Sequence, residues 1–216
     1  YKAITDKYES FIHMHALETF AQAKACHEMM GKSGIAVLRD YGILNNRLSL
    51  AHSVWLTSED IDILAEYGAM VVHNPACNLK LGSGIAPIRE MIDKGVVVGL
   101  GADGSASSDN QVMFDALKVA ALKHNTTYPD RDKWISARQV MKMATGWGGQ
   151  VMGYKDQLGY LKPGCLADIT LLNLNTPHLS PLNDAHRALV FCETGASVDT
   201  VIVDGRIVVE RGKLLT

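Results

Sequence analysis

The chain has 216 residues, of which 47% are hydrophobic and 20% are charged, and its 21 basic residues nearly balance 23 acidic ones. This composition is typical of a folded globular protein and excludes disordered, collagen-like and coiled-coil chains. The formal charge of -2 leaves no basic stripe for a phosphate backbone, and apolar runs such as residues 96–100 are too short to cross a bilayer. We therefore expect neither nucleic acid nor a membrane as a partner.

The four cysteines, Cys26, Cys77, Cys165 and Cys192, are widely scattered and form no CxxC pair. Their spacing argues against a disulfide framework and a zinc ribbon and suits a reducing compartment. The opening YKAITDKYES has no apolar signal core, so we expect a cytoplasmic protein. Because it also lacks an initial Met, we expect the chain to be an internal or C-terminal piece of a longer polypeptide.

Residues 9–155 alternate short apolar runs with amphipathic segments, which is the pattern of βα units on a parallel sheet. The run at 96–102 is almost continuously apolar, as expected for a strand that is covered on both faces. Strands are predicted at residues 10–15, 47–53, 69–73 and 96–102.

Helices are predicted between and after these strands, and one of them has clear signals at both ends. Thr57 followed by Asp60 predicts a capping box, and Gly68 predicts the stop, so residues 58–67 are expected to be helical. The other helices are predicted at residues 19–30, 34–41, 85–94, 111–124, 136–144 and 148–152.

The pattern changes near residue 158, where Gly and Pro separate short runs of β-branched and aliphatic residues. We expect a small β-domain from here, with strands within 158–174 and at 188–192, 200–203 and 206–210, and VDGR at 203–206 predicts a tight Asp-Gly hairpin. A complete eight-stranded barrel takes about 250 residues. Four βα units therefore indicate either an open sheet or half of a barrel.

A polar residue closes each of the four predicted parallel strands: His15, His52, His73 and Asp103. Reactive side chains collect at the C-terminal ends of parallel strands, and imidazole and carboxylate groups suit zinc or iron(II). We predict that His15 and Asp103 form part of a metal site, with His52 near the water or substrate and Glu18 placed to carry a proton. A structural role stays open for each histidine, and Glu18 also fits an acid at a helix N-terminus.

The strings HMHALET (13–19), AHSVWLT (51–57), VVHNPACNLKLGSGIAP (71–87) and GLGADGSASSDN (99–110) resemble the amidohydrolase superfamily. The similarity is strongest to the branch of S-adenosylhomocysteine and methylthioadenosine deaminases, guanine-type deaminases and triazine chlorohydrolases, and it extends through VIVDGRIVVERGK near the C-terminus. This resemblance implies an α/β fold. Residues 1–157 would be the C-terminal half, strands five to eight, of a (β/α)8 TIM-type barrel, and residues 158–216 the C-terminal part of a composite β-sandwich.

The resemblance also implies roles for individual residues. His15 matches a metal-ligand histidine, and Glu18 matches the acid that binds a ring nitrogen and shuttles a proton. His52 matches the histidine that polarises the attacking water, and Asp103 matches the aspartate that contacts the metal and takes the water's proton. His73 falls near the family's substrate-binding region, with a structural loop contact as the alternative.

Two further residues need an interpretation. Trp55 lies close to His52 and is a candidate for the substrate pocket, with an aromatic core contact as the alternative. Cys77 stands where the family more often has serine, and with no base partner nearby we interpret it as a buried loop residue and not a catalytic thiol.

One departure concerns the metal. Related proteins take two ligands from a His-x-His at the end of strand one, whereas the one such spacing here, His13 and His15, belongs to a later motif. Catalytic zinc sites usually keep three protein ligands, so we expect metal binding by this chain alone to be weak or absent. An uncovered parallel edge invites pairing, and we expect a missing N-terminal half or self-association to complete the site.

These expectations define a metal-dependent deaminase that hydrolyses a C–N bond at a ring carbon of a small N-heteroaromatic substrate, through a metal-activated water. We expect one divalent metal, zinc first and iron as the alternative. Two other functions stay open: a chlorohydrolase-type dehalogenase, and a non-catalytic truncated globule or assembly subunit that retains family residues. An open-sheet serine hydrolase is disfavoured because the sequence has no GxSxG elbow.

Overall fold

The computed structural model describes residues 2–215 and contains two four-stranded sheets. The first sheet is parallel in the order β1-β2-β3-β4, and the second is antiparallel in the order β5-β6-β7-β8. The strands are β1 (Ile12–Ala16), β2 (Leu48–His52), β3 (Met70–His73), β4 (Val98–Leu100), β5 (Ile169–Leu172), β6 (Val198–Val203), β7 (Arg206–Glu210) and β8 (Lys213–Leu214).

Helices connect the parallel strands and continue after the last of them. They are α1 (Lys2–Tyr8), α2 (Phe20–Met30), α3 (Gly34–Asp40), α4 (Ser58–Tyr67), α5 (Pro75–Lys80), α6 (Ile88–Asp93), α7 (Ser105–Ser108), α8 (Met113–Asn125), α9 (Ala137–Ala144), α10 (Gly146–Val151) and α11 (Ala185–Phe191). Within residues 2–215, none of these helices combines the length and the apolar character needed to span a bilayer.

The parallel sheet has two different faces. Leu48, Leu50 and Val71 have no exposed surface and belong to one core cluster with apolar residues of the covering helices. On the opposite face, His13 Nδ1 lies 2.8 Å from Ser49 Oγ, and both residues line an open cleft of about 680 Å³. Alternation of side chains along each strand produces this division, since successive residues point to opposite faces.

The four predicted parallel strands and the helix at 58–67 are confirmed. Thr57 and Asp60 form a reciprocal capping box, and Gly68 ends α4 in the left-handed conformation at φ 68°. The helix predicted at 85–94 is shorter and begins at Ile88, because Pro87 stands at its N-cap. Helices α1, α5 and α7 were not expected from the sequence.

The prediction of a strand at 188–192 is wrong. This segment is the second half of α11, whose first turn is capped by Asp184 through a hydrogen bond from the Arg187 backbone N–H. Val190 has no exposed surface and Phe191 packs against the main core cluster. A short apolar run carries no clear period of two or of 3.6 residues, and here contact with the helices α8 and α9 decides its form.

The hairpin predicted at VDGR is confirmed. Asp204 and Gly205 both have positive φ angles, 49° and 76°, and Val203 pairs with Arg206 across the turn. Positive φ at both central residues is the requirement of a type I′ turn, which Asp-Gly meets at low steric cost. Asp168, the residue just before β5, accepts a hydrogen bond from the Asp204 backbone N–H at 2.8 Å. This contact stabilises the turn.

Candidate metal and active site

Three side chains converge beyond the C-terminal edge of the parallel sheet. The ligand atoms of His15, His52 and Asp103 all lie within 4.8 Å of one another. His15 lies near the end of β1, His52 is the last residue of β2, and Asp103 follows β4 by three residues. The imidazole rings of His15 and His52 are stacked, with centroids 5.0 Å apart. The structure thus brings together three of the residues that the sequence singles out.

The position of His52 depends on its backbone. Alternation along β2 would place it on the helix-covered face with Leu48 and Leu50, but its φ angle is 70°. This left-handed conformation is uncommon for residues other than glycine, with asparagine, aspartate and histidine enriched in it, and such conformations cluster at functional sites. As a result the ring lies against His15, while the side chain has no exposed surface.

A hydrogen bond sets the proton position on His52. Its Nδ1 lies 2.8 Å from Asn78 Oδ1 in a buried contact. A carbonyl oxygen only accepts, so Nδ1 carries a hydrogen, and in the neutral form of the ring Nε2 presents a lone pair. Within residues 2–215 this Nε2 has no hydrogen-bond partner, and it lies 3.9 Å from Glu18 Oε2. The contact with Asn78 therefore directs Nε2 of His52 toward the carboxylate.

Glu18 is connected to Trp55 through one serine. Ser83 Oγ donates to Glu18 Oε1 at 3.3 Å, and the Trp55 indole N–H donates to the Ser83 carbonyl at 2.8 Å. Trp55 also meets Phe20 edge to face at 5.1 Å, and the two rings line a cleft of about 430 Å³. The half-exposed indole is thus part of a surface beside Glu18 and not of the closed core.

Asp103 is ionised at neutral pH although part of it is buried. Its φ angle is 62°, the same unusual region as His52. Burial raises its pKa, but hydrogen bonds from the Cys77 thiol, the Gly104 N–H and the Ser107 side chain, with the neighbouring His52, outweigh burial and lower the pKa below its ordinary value. A carboxylate in this state suits both metal binding and proton acceptance.

Cys77 is a fully buried free thiol next to this carboxylate. Burial, followed by its interactions with Asp103 and Glu18, raises its pKa to about 12. A thiol in this state is neutral at physiological pH and is not an activated nucleophile. The position agrees with the interpretation of Cys77 as a buried residue and adds a role, donation to Asp103.

His73 lies outside the converging set. It has no exposed surface, its ring centroid is 5.8 Å from that of His124, and neither ring nitrogen has a hydrogen-bond partner within the described chain. His73 keeps the regular alternation of β3, so it points with Val71 toward α8, away from the inner face that holds His15. The contact of His73 with a substrate therefore stays a prediction, and its ring packs on His124 and not in the expected loop contact.

The residue that sequence reasoning undervalued is Asn78. The HNPACN segment indicates a loop contact, whereas the structure shows a short helix, α5, that buries Cys77 and Asn78 completely beside the site. The signal in the sequence is an amide side chain, Asn78, in a short segment that directly follows the strand ending at His73. That signal does not identify a partner, because the contact with His52 spans 26 residues.

Comparisons with known proteins identify the family of the chain and several similar proteins. The profile described as Amidohydrolase family matches residues 2–208. The chain is 42% identical over 206 residues to a 5-methylthioadenosine/S-adenosylhomocysteine deaminase of Thermococcus kodakarensis, covering 95% of this chain and 48% of that protein. It is 39% identical over 212 residues to a 5'-deoxyadenosine deaminase of Methanothermobacter thermautotrophicus, covering 98% and 49%.

Two solved structures show a similar fold. An adenosine deaminase from Xanthomonas campestris with bound zinc has a TM-score of 0.95 and 28% identity, covering 99% of this chain and 48% of that one. An atrazine chlorohydrolase from Arthrobacter aurescens complexed with zinc has a TM-score of 0.93 and 31% identity, covering 99% and 47%. The chain spans about half the length of the curated relatives it matches. The profile match over residues 2–208 shows that the chain belongs to the amidohydrolase family.

Proposed function

We propose that this chain carries the acid-base half of a metal-dependent aminohydrolase, which hydrolyses an exocyclic C–N bond on an N-heteroaromatic ring. The observation that supports this proposal is the convergence of His15, His52 and Asp103 within 4.8 Å, with Glu18 Oε2 3.9 Å from His52 Nε2. A metal ligand set, a base and a proton carrier are then within reach of one bound ring.

The donor set fits a divalent metal. His15 and Asp103 would hold the ion through imidazole nitrogen and carboxylate oxygen, which suit zinc and iron(II) alike, and zinc is our proposal because two similar solved structures contain it. When bound, such an ion acts as a Lewis acid and lowers the pKa of water at its open position to about 7. Two ligands are fewer than a catalytic zinc usually has, so we propose that sequence outside this chain supplies the others.

Three side chains would each have a separate role in moving protons during the reaction. Asp103 accepts a proton from the attacking water as the new C–O bond forms. His52 Nε2 accepts a hydrogen bond from the same water and orients it, because Asn78 holds the hydrogen on Nδ1. Glu18 delivers a proton to the ring nitrogen next to the attacked carbon. The exocyclic nitrogen leaves as ammonia after it gains the proton that Asp103 took from the water, and the remaining hydroxyl proton returns to Glu18 as the ring carbonyl forms.

The substrate class follows from the named relatives. Relatives at 39–42% identity are named as deaminases of methylthioadenosine, S-adenosylhomocysteine and 5'-deoxyadenosine. We propose an adenine nucleoside without a 5'-phosphate, with the surface formed by Phe20 and Trp55 packing against an apolar part of it. The net charge of -2 provides no excess of basic residues for phosphate, which agrees with this choice.

We also propose an arrangement for the whole enzyme. Residues 1–157 would form strands five to eight of its barrel, and residues 158–216 part of a β-sandwich. The parallel sheet supports this, since within residues 2–215 both β1 and β4 have only one neighbouring strand. Unpaired parallel edges are normally closed by further strands.

The test is ammonia release from 5'-deoxyadenosine and methylthioadenosine, followed with the conversion of the adenine absorbance to that of hypoxanthine. It uses the chain alone and the chain extended by whatever sequence precedes it in its gene. We expect turnover by the extended form with zinc, and a loss of about 10²–10⁴-fold in Glu18→Gln. Cys192→Ser, at an exposed position, is the matched control.

Two results would reject this function in different ways. Chloride release from a chlorotriazine, without release of ammonia from a nucleoside, would support the dehalogenase alternative. Failure of a folded, zinc-loaded extended form to act on either substrate would support the non-catalytic alternative.

A further inference from the structure

A second group of ligand atoms lies beside the first and contains sulfur. The Glu18 carboxylate, a ring nitrogen of His52 and the Cys77 thiol have ligand atoms within 4.8 Å of one another. His52 and Cys77 have no exposed surface, and Glu18 is partly exposed, so the group is open to solvent on the carboxylate side alone. We call these three residues the thiol cluster.

We propose that the thiol cluster is a binding site for a soft divalent cation of the zinc and cadmium class, which shares His52 and Glu18 with the proposed reaction and adds the Cys77 thiol. Thiolate, imidazole and carboxylate are all zinc ligands, and three of them with one open position form a common tetrahedral arrangement. The hydrolytic cluster of His15, His52 and Asp103 contains no sulfur, so the two sites differ in the cations they favour.

The thiol cluster also contains an unpaired buried nitrogen, which points to a ligand. His52 Nε2 has no hydrogen-bond partner within the described residues, and it faces Glu18 Oε2 at 3.9 Å. Buried polar atoms are normally paired, and an exception needs an explanation such as an ion or a bound water. Asn78 holds a hydrogen of His52 on Nδ1, so in the neutral form of the ring the lone pair lies on Nε2.

The ligand atoms of the thiol cluster lie slightly farther apart than those of a tetrahedral zinc site. With zinc–sulfur and zinc–nitrogen bonds of about 2.3 and 2.0 Å, the ligand atoms of a tetrahedral site are about 3.5 Å apart. The present limit of 4.8 Å is about 1.3 Å wider. Rotation of the partly exposed Glu18 can shorten its own two distances, and rotation of the Cys77 side chain has to shorten the distance between Cys77 and His52. On coordination the Cys77 thiol releases its proton to solvent, and its hydrogen bond to Asp103 is lost.

Occupation of the thiol cluster would compete with the proposed reaction. It takes the Nε2 lone pair of His52 and the carboxylate of Glu18, which the reaction needs for water orientation and proton delivery. A soft cation bound here would therefore inhibit a zinc-loaded enzyme. This consequence rests on the proposed function, but the binding site itself rests only on the three ligands and their geometry.

The experiment is a titration of the chain with Cd²⁺, followed by the ultraviolet charge-transfer absorption of a cadmium-thiolate bond. Because the hydrolytic cluster has no sulfur, this signal reports thiol sites alone. We expect one equivalent of the signal to disappear in Cys77→Ser and to remain in Cys192→Ser, which alters an exposed free cysteine. In Glu18→Gln the same component should remain but require at least about tenfold more Cd²⁺.

Circular dichroism checks that each variant is folded. Cys77→Ala replaces Cys77→Ser if a buried hydroxyl destabilises the chain. A folded Cys77 variant with an unchanged absorption signal would overturn the proposal. An unchanged titration midpoint in Glu18→Gln would also overturn it, since the thiol would then bind Cd²⁺ without the carboxylate. The titration needs no substrate. Its failure therefore leaves the deaminase proposal untouched, and absence of deamination leaves the cation site untouched.

Discussion

Asn78 Oδ1 lies 2.8 Å from Nδ1 of His52, and this contact between two completely buried side chains determines which nitrogen of the histidine faces the candidate site. The amide acts on the reaction through His52 and touches neither the proposed metal nor the substrate. Asn78 is therefore a positioning residue in the proposed mechanism.

Replacement of Asn78 should test this role. In Asn78→Leu the Nδ1–H tautomer of His52 loses its acceptor, and we expect ¹⁵N NMR to show a mixture of tautomers. Asn78→Asp retains an acceptor and should keep the tautomer. In the active enzyme we expect kcat to fall by about 10–100-fold in the leucine variant with little change in KM. An unaltered tautomer in folded Asn78→Leu would contradict the assignment.

Thiol reactivity should separate the buried cysteine from the exposed one. The pKa of Cys77 is raised to about 12 by burial and by nearby carboxylates, so roughly one thiol in 10⁴ is ionised near pH 8, whereas an ordinary cysteine of pKa about 8.5 is about one quarter ionised. We expect iodoacetamide to label exposed Cys192 first and Cys77 last, as measured by peptide mass spectrometry. Early labelling of Cys77 in the folded chain would show that the site is open.

The capping of two helices depends on one buried carboxylate. Asp60 accepts from the backbone N–H and the hydroxyl of Thr57, both at 2.9 Å, and from the hydroxyl of Ser33, which caps α3. Thr57→Ala removes one cap and should lower the free energy of unfolding by about 1 kcal/mol. Asp60→Ala disturbs both caps and leaves buried donors unpaired, so we expect a loss on the order of 3 kcal/mol.

Urea denaturation of both variants measures this difference. Ser136→Ala is a matched control, because Ser136 heads an equivalent capping box on α9 and has no link to a second helix. It should resemble Thr57→Ala. Equal losses for Thr57→Ala and Asp60→Ala would mean that the contact between Asp60 and Ser33 contributes nothing.

Buried histidines should make the fold sensitive to acid. Burial, with Lys123 nearby, lowers the pKa of His124 from 6.5 to about 4, and burial also lowers the pKa of His73 well below 6.5. Between pH 6.5 and 4 the unfolded chain therefore binds more protons than the folded one, and stability falls as the pH decreases through this range. Each histidine contributes at most about 1.4 kcal/mol per pH unit.

The measurement is the free energy of unfolding in urea at several pH values. His124→Gln stays neutral at every pH, so its stability should decline less steeply between pH 6.5 and 4 than that of the parent chain. His27→Gln, at an exposed position near the end of α2, is the control and should keep the parent slope. Equal slopes for the parent chain and His124→Gln would show that His124 titrates normally in the folded protein.

Local signals predicted much of the fold. The helix α4 has the predicted limits because Thr57, Asp60 and Gly68 act within a few residues of the helix ends. The hairpin at Asp204 and Gly205 is equally local, since positive φ angles are a property of these residue types. The segment at 188–192 was mispredicted because its apolar pattern is short and its packing partners lie far away in sequence.

The sequence by itself determined the parallel βα pattern, the capped helices and the candidates His15, Glu18, His52 and Asp103, because periodicity, capping and motif spacing are all written along the chain. Only the tertiary structure decided which histidines meet. His52 and His73 end neighbouring strands at equivalent positions, yet a φ of 70° turns His52 toward His15, while His73 follows regular alternation and packs on His124. Side-chain direction at a strand end depends on backbone angles that distant contacts stabilise, such as the one from Asn78 to His52.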